Sequence, residues 1–395
     1  MRLLKTTTYL FGLLAIIFIP LPSLLLSWQA DASNFIWSGM ISAVSRKYFT
    51  PLAVSDLSSD SYSLYILLSI LLIISFLIAS FITFYVKKWE NGKLMTMLRL
   101  VFSYYLAAVL LGYGADKIFK GQFYLPEPNI LYTPFGFLDR DILFWSTMGT
   151  SYSYNLFTGF LEVLCAFLLF IRRTRRTGIL ISGILLLHIV VINFSFDISV
   201  KLYSSFLFFL SIVLVSPYKN ELGRFLFNDT LVNKRFKEGH LMIPSYVKAG
   251  LKSFIILIFS FEAFYPYIHS GHLDDDLVTR PYLHGAYQVQ ADMRHSSIPV
   301  SRFFVHRDGY LIFQESSGQT RDFKLYIDTI NHQFRTLDYQ GNMMSLPFNY
   351  DSRDSLLELQ YVYQDSIYLL KGKALDWKQL PALAPQFHWA VDEIH

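Results

Sequence analysis

Several side chains in this sequence are of types that an apolar chain seldom carries without a use for them. Between residues 154 and 216, three apolar runs hold Glu162, His188, Asn193, Asp197 and Lys201. The run before them, 95–118, ends in Tyr113, Asp116 and Lys117. A charged group at membrane depth costs roughly 2.5–3.5 kcal/mol on insertion scales, and a chain that needed only an anchor would use Leu. Glu162 is therefore the leading candidate for catalysis, as a proton relay. Tyr113, Asp116, Lys117, Asn193, Asp197 and Lys201 are candidates for holding the polar head of a ligand.

Each candidate also has a structural reading. Glu162 reads equally as a carboxylate paired with Arg99, His188 or Asn193 of a neighbouring helix. Asp116, Lys117, Asp197 and Lys201 read as an ion-pair latch near the membrane surface. His188 has no second His at ligand spacing, so no metal site is expected. Gly159 lies three residues before Glu162, near the same helical face, and admits a close helix neighbour there.

The elements that must position these residues follow from composition. The chain has 395 residues, of which 53% are hydrophobic and 16% charged. Soluble proteins run near ~25% charged, so the deficit points to a membrane. No zinc-finger, phosphate-loop or basic-aromatic pattern is present, and nucleic acid is not an expected partner. The single cysteine, Cys165, lies in an apolar run and excludes a disulfide within the chain; it reads as a small buried hydrophobe.

A spanning helix takes about 20 apolar residues. Seven candidates follow: 8–28, 62–86, 95–118, 154–171, 177–196, 200–216 and 254–268. The first resembles a signal peptide but is long for one, and a retained helix is expected. Residues 35–48 read as an amphipathic surface helix, and 90–93 as a turn. The segment 120–153 is rich in Pro and aromatics and predicts a folded cap over the pocket, with a short or re-entrant helix at 138–148. Tyr104 and Tyr105 read as packing residues.

Cytoplasmic loops are enriched in Lys and Arg. Arg2 and Lys5; Lys87, Lys88 and Lys93; Arg172, Arg173, Arg175 and Arg176; and Lys219, Arg224, Lys234, Arg235, Lys237 and Lys248 fall in alternate connections. Arg172 and Arg173 are thus topology signals. The expected arrangement has a cytoplasmic N-terminus, seven crossings and an extracytoplasmic C-terminal domain. Under it Tyr113, Asp116, Lys117, Asn193, Asp197 and Lys201 converge on the outer side, with Glu162 as the floor of an outward-opening pocket.

From about residue 282 the pattern changes to period two, as in RFFVHRDGYLIFQE and FKLYIDTI, the mark of half-buried strands. Asp308-Gly309 signals a hairpin, and 351–354 and 364–365 further turns. An antiparallel β-sandwich or small β-barrel is expected, with Phe387-His388-Trp389 closing it. The domain expectation is 1–94, N-terminal transmembrane helices and outer loop; 95–216, helical core; 217–280, basic connector and last transmembrane helix; and 281–395, β-domain.

The segment TGFLEVLCAFLL, 158–169, resembles the glutamate-bearing helix of the DoxX/DoxD family of membrane proteins. LLGYGADKIFKGQF, 110–123, is similar to that family's preceding helix end, and NFSFDISVKLYS to its last helices. The resemblance covers roughly residues 95–216 and implies a four-helix core within a membrane all-α bundle. It also implies a bacterial inner membrane location and possible quinone-linked redox work with a protein partner. A fainter similarity is to the vitamin K-dependent carboxylases, which join a membrane bundle to a lumenal β-rich part and use a quinol cofactor. The functional expectation is a protein that binds a quinone or membrane lipid and serves a redox complex. The alternative is a non-catalytic envelope scaffold whose β-domain binds a partner or a lipophilic ligand.

Overall fold

The computed structural model describes residues 2–21, 27–48, 57, 59–85, 92–227, 244–290, 300–363 and 366–384. The expected turns at 90–93 (in part) and 364–365, the Lys87-Lys88 and 234–237 charges, and Phe387-His388-Trp389 lie outside the described residues. The chain divides into two compact units. The first comprises residues 1–122 and 153–273, and the second 123–152 and 274–395.

The helical unit contains α1 (Arg2–Phe18), α2 (Trp28–Tyr48), α3 (Tyr62–Tyr85) and α4 (Gly92–Ile118). The chain goes on through α5 (Pro128–Leu131) and α6 (Arg140–Thr150), both in the second unit, and returns in α7 (Tyr152–Phe170). Then come α8 (Arg175–Ser195), α9 (Lys201–Val215), α10 (Lys219–Phe227) and α11 (Ser245–Ser270). Among the described residues six helices are long and apolar enough to cross a membrane: Tyr62–Tyr85, Leu94–Ile118, Tyr152–Phe170, Arg175–Ser195, Lys201–Arg224 and Ala249–Leu277.

The expected first span, 8–28, is corrected. Helix α1 stops at Phe18, because Pro20 cannot donate to the helical ladder and biases the residue before it away from helix. Its 17 residues reach about 25 Å at 1.5 Å each, short of the ~30 Å hydrocarbon core. The start of α2 satisfies its end: the Gln29 amide donates to the carbonyls of Ile16, Ile17 and Ile19 at 3.0, 2.8 and 2.9 Å. Ser33 donates to the Phe18 carbonyl at 2.8 Å. Trp37 and Ile41 of α2 then bury against Ile66, Leu67 and Ile70 of α3. The last span is also corrected, since α11 is far longer than the expected 254–268 and carries Pro266 inside it.

The bundle core joins Tyr9, Phe102, Leu106 and Leu110 to Phe206, Leu210 and Leu214. Lipid is as apolar as a leucine side chain, so close packing, not water exclusion, holds such helices together. Gly12 shows how close: a Cβ there would lie 2.8 Å from the Phe102 ring.

The second unit contains a closed antiparallel barrel, so the sandwich alternative falls. Its strands are β1 (Gly285–Val289), β2 (Val300–His306), β3 (Tyr310–Glu315), β4 (Thr320–Asp328), β5 (Gln333–Leu337), β6 (Met343–Asp351), β7 (Leu356–Tyr363) and β8 (Ser366–Leu375). Each pairs with the next, and β8 closes on β1 through Tyr287↔Ala374. The predicted hairpin joins β2 to β3, with Gly309 at φ +71°.

Inward residues Tyr287, Phe303, Val305, Leu311, Phe313, Phe334, Phe348 and Leu357 fill the interior. Eight strands leave about that much room. A Cβ at Gly372 would lie 2.4 Å from the Phe303 ring. The outward residues Ala286, Phe304 and Ile312 are also buried, against Tyr132 after α5. The segment 123–152, expected as a cap on the helical pocket, therefore packs on the barrel wall.

A polar cluster holds this attachment. His284 Nε2 and Glu127 Oε2 lie 2.7 Å apart, both nearly buried. Arg307 bonds both oxygens of Asp275 at 2.6 and 2.8 Å, and its guanidinium lies 4.4 Å from the centre of the Tyr124 ring. Asp276 accepts from the Leu125 amide at 2.9 Å.

Burial pushes the Glu127 carboxyl up, but the hydrogen bond and charge of His284, with His306 and Arg307, outweigh it and leave it below the ordinary range. Burial opposes Arg307 and Arg280 at Asp275 with the same net lowering. Burial pushes His306 down, and Glu127 and Asp308 only partly oppose that. For all three groups the unfolded chain binds protons more readily than the folded one, so stability rises with pH. We expect the cap–barrel unit of the full-length protein to weaken below its ordinary histidine value of 6.5 and further below 4.5. Hydrogen exchange of β1 and β2 across pH 7.5 to 4 checks this; protection that rises on acidification would contradict it.

Candidate functional site

Glu162 meets a base, but not one of the three expected. Helices α4 and α7 run antiparallel: Tyr104 packs on Phe170 at 5.5 Å between ring centres, while Gly114 meets Gly159. The glycine contact is reciprocal. A Cβ on Gly114 would lie 2.8 Å from the Gly159 carbonyl, and one on Gly159 would lie 2.7 Å from the Gly114 carbonyl. One helical turn beyond each glycine stands a charge, Lys117 on α4 and Glu162 on α7. Helical side chains lean toward their own N-terminus, so on antiparallel helices these two lean toward each other. Lys117 Nζ donates to both Glu162 oxygens, at 2.9 and 2.8 Å. Lys117 is 8% and Glu162 2% exposed.

The predicted partners of Glu162 are placed otherwise. Arg99 donates to the Met95 carbonyl at 3.2 Å and to Thr96 at 3.3 Å, within its own helix. His188 is exposed on α8. Asn193 is buried, and its Nδ2 has no hydrogen-bond partner among the described residues. Arg172 and Arg173 are exposed in the α7–α8 turn. Arg175 donates to the Leu169 carbonyl at 2.9 Å, closing the end of α7.

Tyr113 and Asp116 belong to a different face of α4. A one-residue step turns a helix by about 100°, so Gly114 and Lys117 address α7 while Tyr113 and Asp116 address α11. Between α4 and α11 lies a cavity of about 340 Å³. Its walls are Leu21, Ala108, Val109 and Gly112 beside Tyr113 and Asp116, and Phe259, Glu262, Ala263, Pro266 and Tyr267 on α11. The Tyr267 hydroxyl donates to Asp116, and its ring stacks on Phe119 at 4.6 Å. Pro266 has no N–H to return to the Glu262 carbonyl one turn earlier. The expected pocket with Glu162 as its floor is corrected: Glu162 is not among the lining residues.

Glu262 and Tyr267 were not singled out from sequence as site residues. The available signal was an acid in an apolar run, the same criterion that selected Glu162.

Asp197 and Lys201 form a latch. Lys201 Nζ lies 2.7 Å from Asp197 and 3.5 Å from Asp60. Asp60 also accepts the backbone N–H groups of Lys201 and Leu202, both at 2.8 Å. A carboxylate on the first N–H groups of α9 satisfies donors with no partner in the helix and suits its dipole. The Asp197 side chain is 81% exposed, consistent with the latch reading and not with a pocket wall.

Two results should follow from the crossing. Gly159→Val should cost at least about 1–3 kcal/mol of stability by overpacking and part Lys117 from Glu162; an unchanged melting temperature in detergent would contradict it. Removing one partner of a buried pair costs about 3–5 kcal/mol, while replacing both by apolar residues is often nearly neutral. Glu162→Ala should therefore destabilise more than the double variant Lys117→Met with Glu162→Leu. Additive losses in thermal unfolding would show that the pair is not the staple of this crossing.

No protein-family model matches the chain, and no solved structure matches it. Over 131 residues the chain is 36% identical to the uncharacterized protein YwoB of Bacillus subtilis (strain 168). That stretch is 32% of this chain and 82% of YwoB. On that identity and coverage, the chain belongs to the family of YwoB.

Proposed function

We propose that this is an integral protein of the bacterial inner membrane that holds an amphiphilic small molecule, a membrane lipid or a quinone, between α4 and α11. The observation that carries this reading is the cavity: polar groups on Tyr113, Asp116, Glu262 and Tyr267 stand beside apolar and aromatic walls within a helical bundle. Pockets for small molecules have this makeup and run from roughly 300 to 1,000 Å³. The barrel interior, by contrast, is occupied by the side chains of its own strands.

The DoxX-like resemblance supports a quinone-linked role with a redox or other envelope partner. Two of the three segments that carry it, 110–123 and 158–169, include Gly114, Lys117, Gly159 and Glu162, where α4 and α7 cross. The Lys117–Glu162 pair then keeps α4 in register, so that Tyr113 and Asp116 address the cavity. Glu162 serves here as a positioning residue.

The arginines of the α7–α8 turn support the orientation, because such clusters stay cytoplasmic. If α8, α9 and α11 cross in succession from that turn, the count supports a barrel outside, whatever α1 does. Six spans that end outside also begin outside, so the expected cytoplasmic N-terminus requires α1, which packs among α3, α4 and α9, to cross as well.

Mass spectrometry of small molecules co-purifying from membranes tests the reading. The wild type should carry a defined amphiphile that Ala263→Trp, which fills the cavity, loses. Identical profiles for the two would remove the cavity as a binding site.

A further inference from the structure

We infer that the group recognised by the α4–α11 cavity is an ammonium, a positively charged nitrogen on a lipid head group or on a free amine. This rests on the reading of the cavity as a ligand site and narrows it. Among the described lining residues the acids are Asp116 and Glu262, and no Lys, Arg or His lines the wall. Lys117, next in sequence to Asp116, has its ammonium between the two oxygens of Glu162. The nearest cation on α4 is thus bound by a carboxylate of α7, beside the Tyr113 ring.

The remaining walls suit the same ligand. Phe259 and Tyr267 supply aromatic rings, beside Tyr113, whose ring already has the Lys117 ammonium 5.7 Å from its centre, and a cation is attracted to the electron-rich face of such a ring, most strongly where water is excluded. Carboxylates with aromatic faces are the surroundings in which an ammonium is bound. The alternatives fit less well. A phosphate or carboxylate head would face two acids. A quinone or ester carbonyl needs hydrogen-bond donors, and Tyr267 already gives its hydroxyl proton to Asp116, which leaves the Tyr113 phenol as the lining side-chain donor. The volume of about 340 Å³ admits a head group with part of a chain and not a whole bilayer lipid.

The test uses the full-length protein in neutral maltoside micelles, with binding read by native mass spectrometry and thermal shift. The probes are dodecyltrimethylammonium, dodecanol, dodecyl phosphate and tetramethylammonium. Dodecyltrimethylammonium should bind at least ten-fold tighter than dodecanol or dodecyl phosphate. Glu262→Gln and Asp116→Asn, made separately so that one folding failure does not void the result, should each erase that preference while dodecanol binding is kept. Competition by tetramethylammonium would support a free amine as the source. Its failure beside tight binding of the dodecyl compound would support a lipid head group.

Equal or tighter binding of dodecanol or dodecyl phosphate would overturn the ammonium inference and leave the cavity as a ligand site. An ammonium preference that survives Ala263→Trp would overturn it too, since the cation would sit elsewhere. If no probe binds the wild type, the ligand-site reading and the inference fall together.

Discussion

An ion pair inside a membrane bundle holds only where two backbones come close enough for the charges to meet without water. The Lys117–Glu162 pair satisfies that condition through two glycines. With any side chain at Gly114 or Gly159, the helices would stand apart and each charge would be left in a medium that penalises it severely. The crossing also explains why both charges lie one turn past their glycine. On antiparallel helices, that offset places two N-terminally leaning side chains tip to tip. A buried pair of this kind is weak evidence for net stability but strong evidence for register, since a one-residue slip would expose two unmatched charges.

Register at this crossing decides what the other face of α4 presents. Tyr113 and Asp116 alternate along the chain with Gly114 and Lys117, and helical geometry sends the two sets in different directions. One set staples α4 to α7. The other meets Glu262 and Tyr267 of α11 across a cavity. Structural and ligand-facing roles are thus separated by single residue steps, which is why six of the seven polar residues that look like one pocket in the sequence divide into a pair, a cavity wall and, further on, a latch of Asp197 and Lys201 with Asp60.

The second unit solves a separate problem. Its barrel fills its own interior with aromatic and branched side chains, and the outer residues Ala286, Phe304 and Ile312 are covered with the help of Tyr132 in the 123–152 segment. The covering is pinned by Glu127 on His284, both nearly buried, and by Tyr124 under the Arg307 guanidinium. The Glu127–His284 bond links residues far apart in sequence, with α7, α8, α9, α10 and α11 of the first unit between them, so it can form only after those five helices have been made.

Much was legible in the residues alone. Apolar run length marked five of the six spans closely, because the bilayer thickness sets that length. Period-two alternation marked the β-domain, because a strand with one buried face must alternate. Gly159 beside Glu162 was readable as a close approach, because only a small residue permits one. What the tertiary structure decided was partnership. Lys117 could not be named as the partner of Glu162, nor α11 as the wall opposite Asp116, nor the barrel as the support of the 123–152 segment. Periodicity states which face of an element is buried, whereas the identity of the neighbour depends on contacts between residues dozens to hundreds of positions apart, which no local pattern encodes.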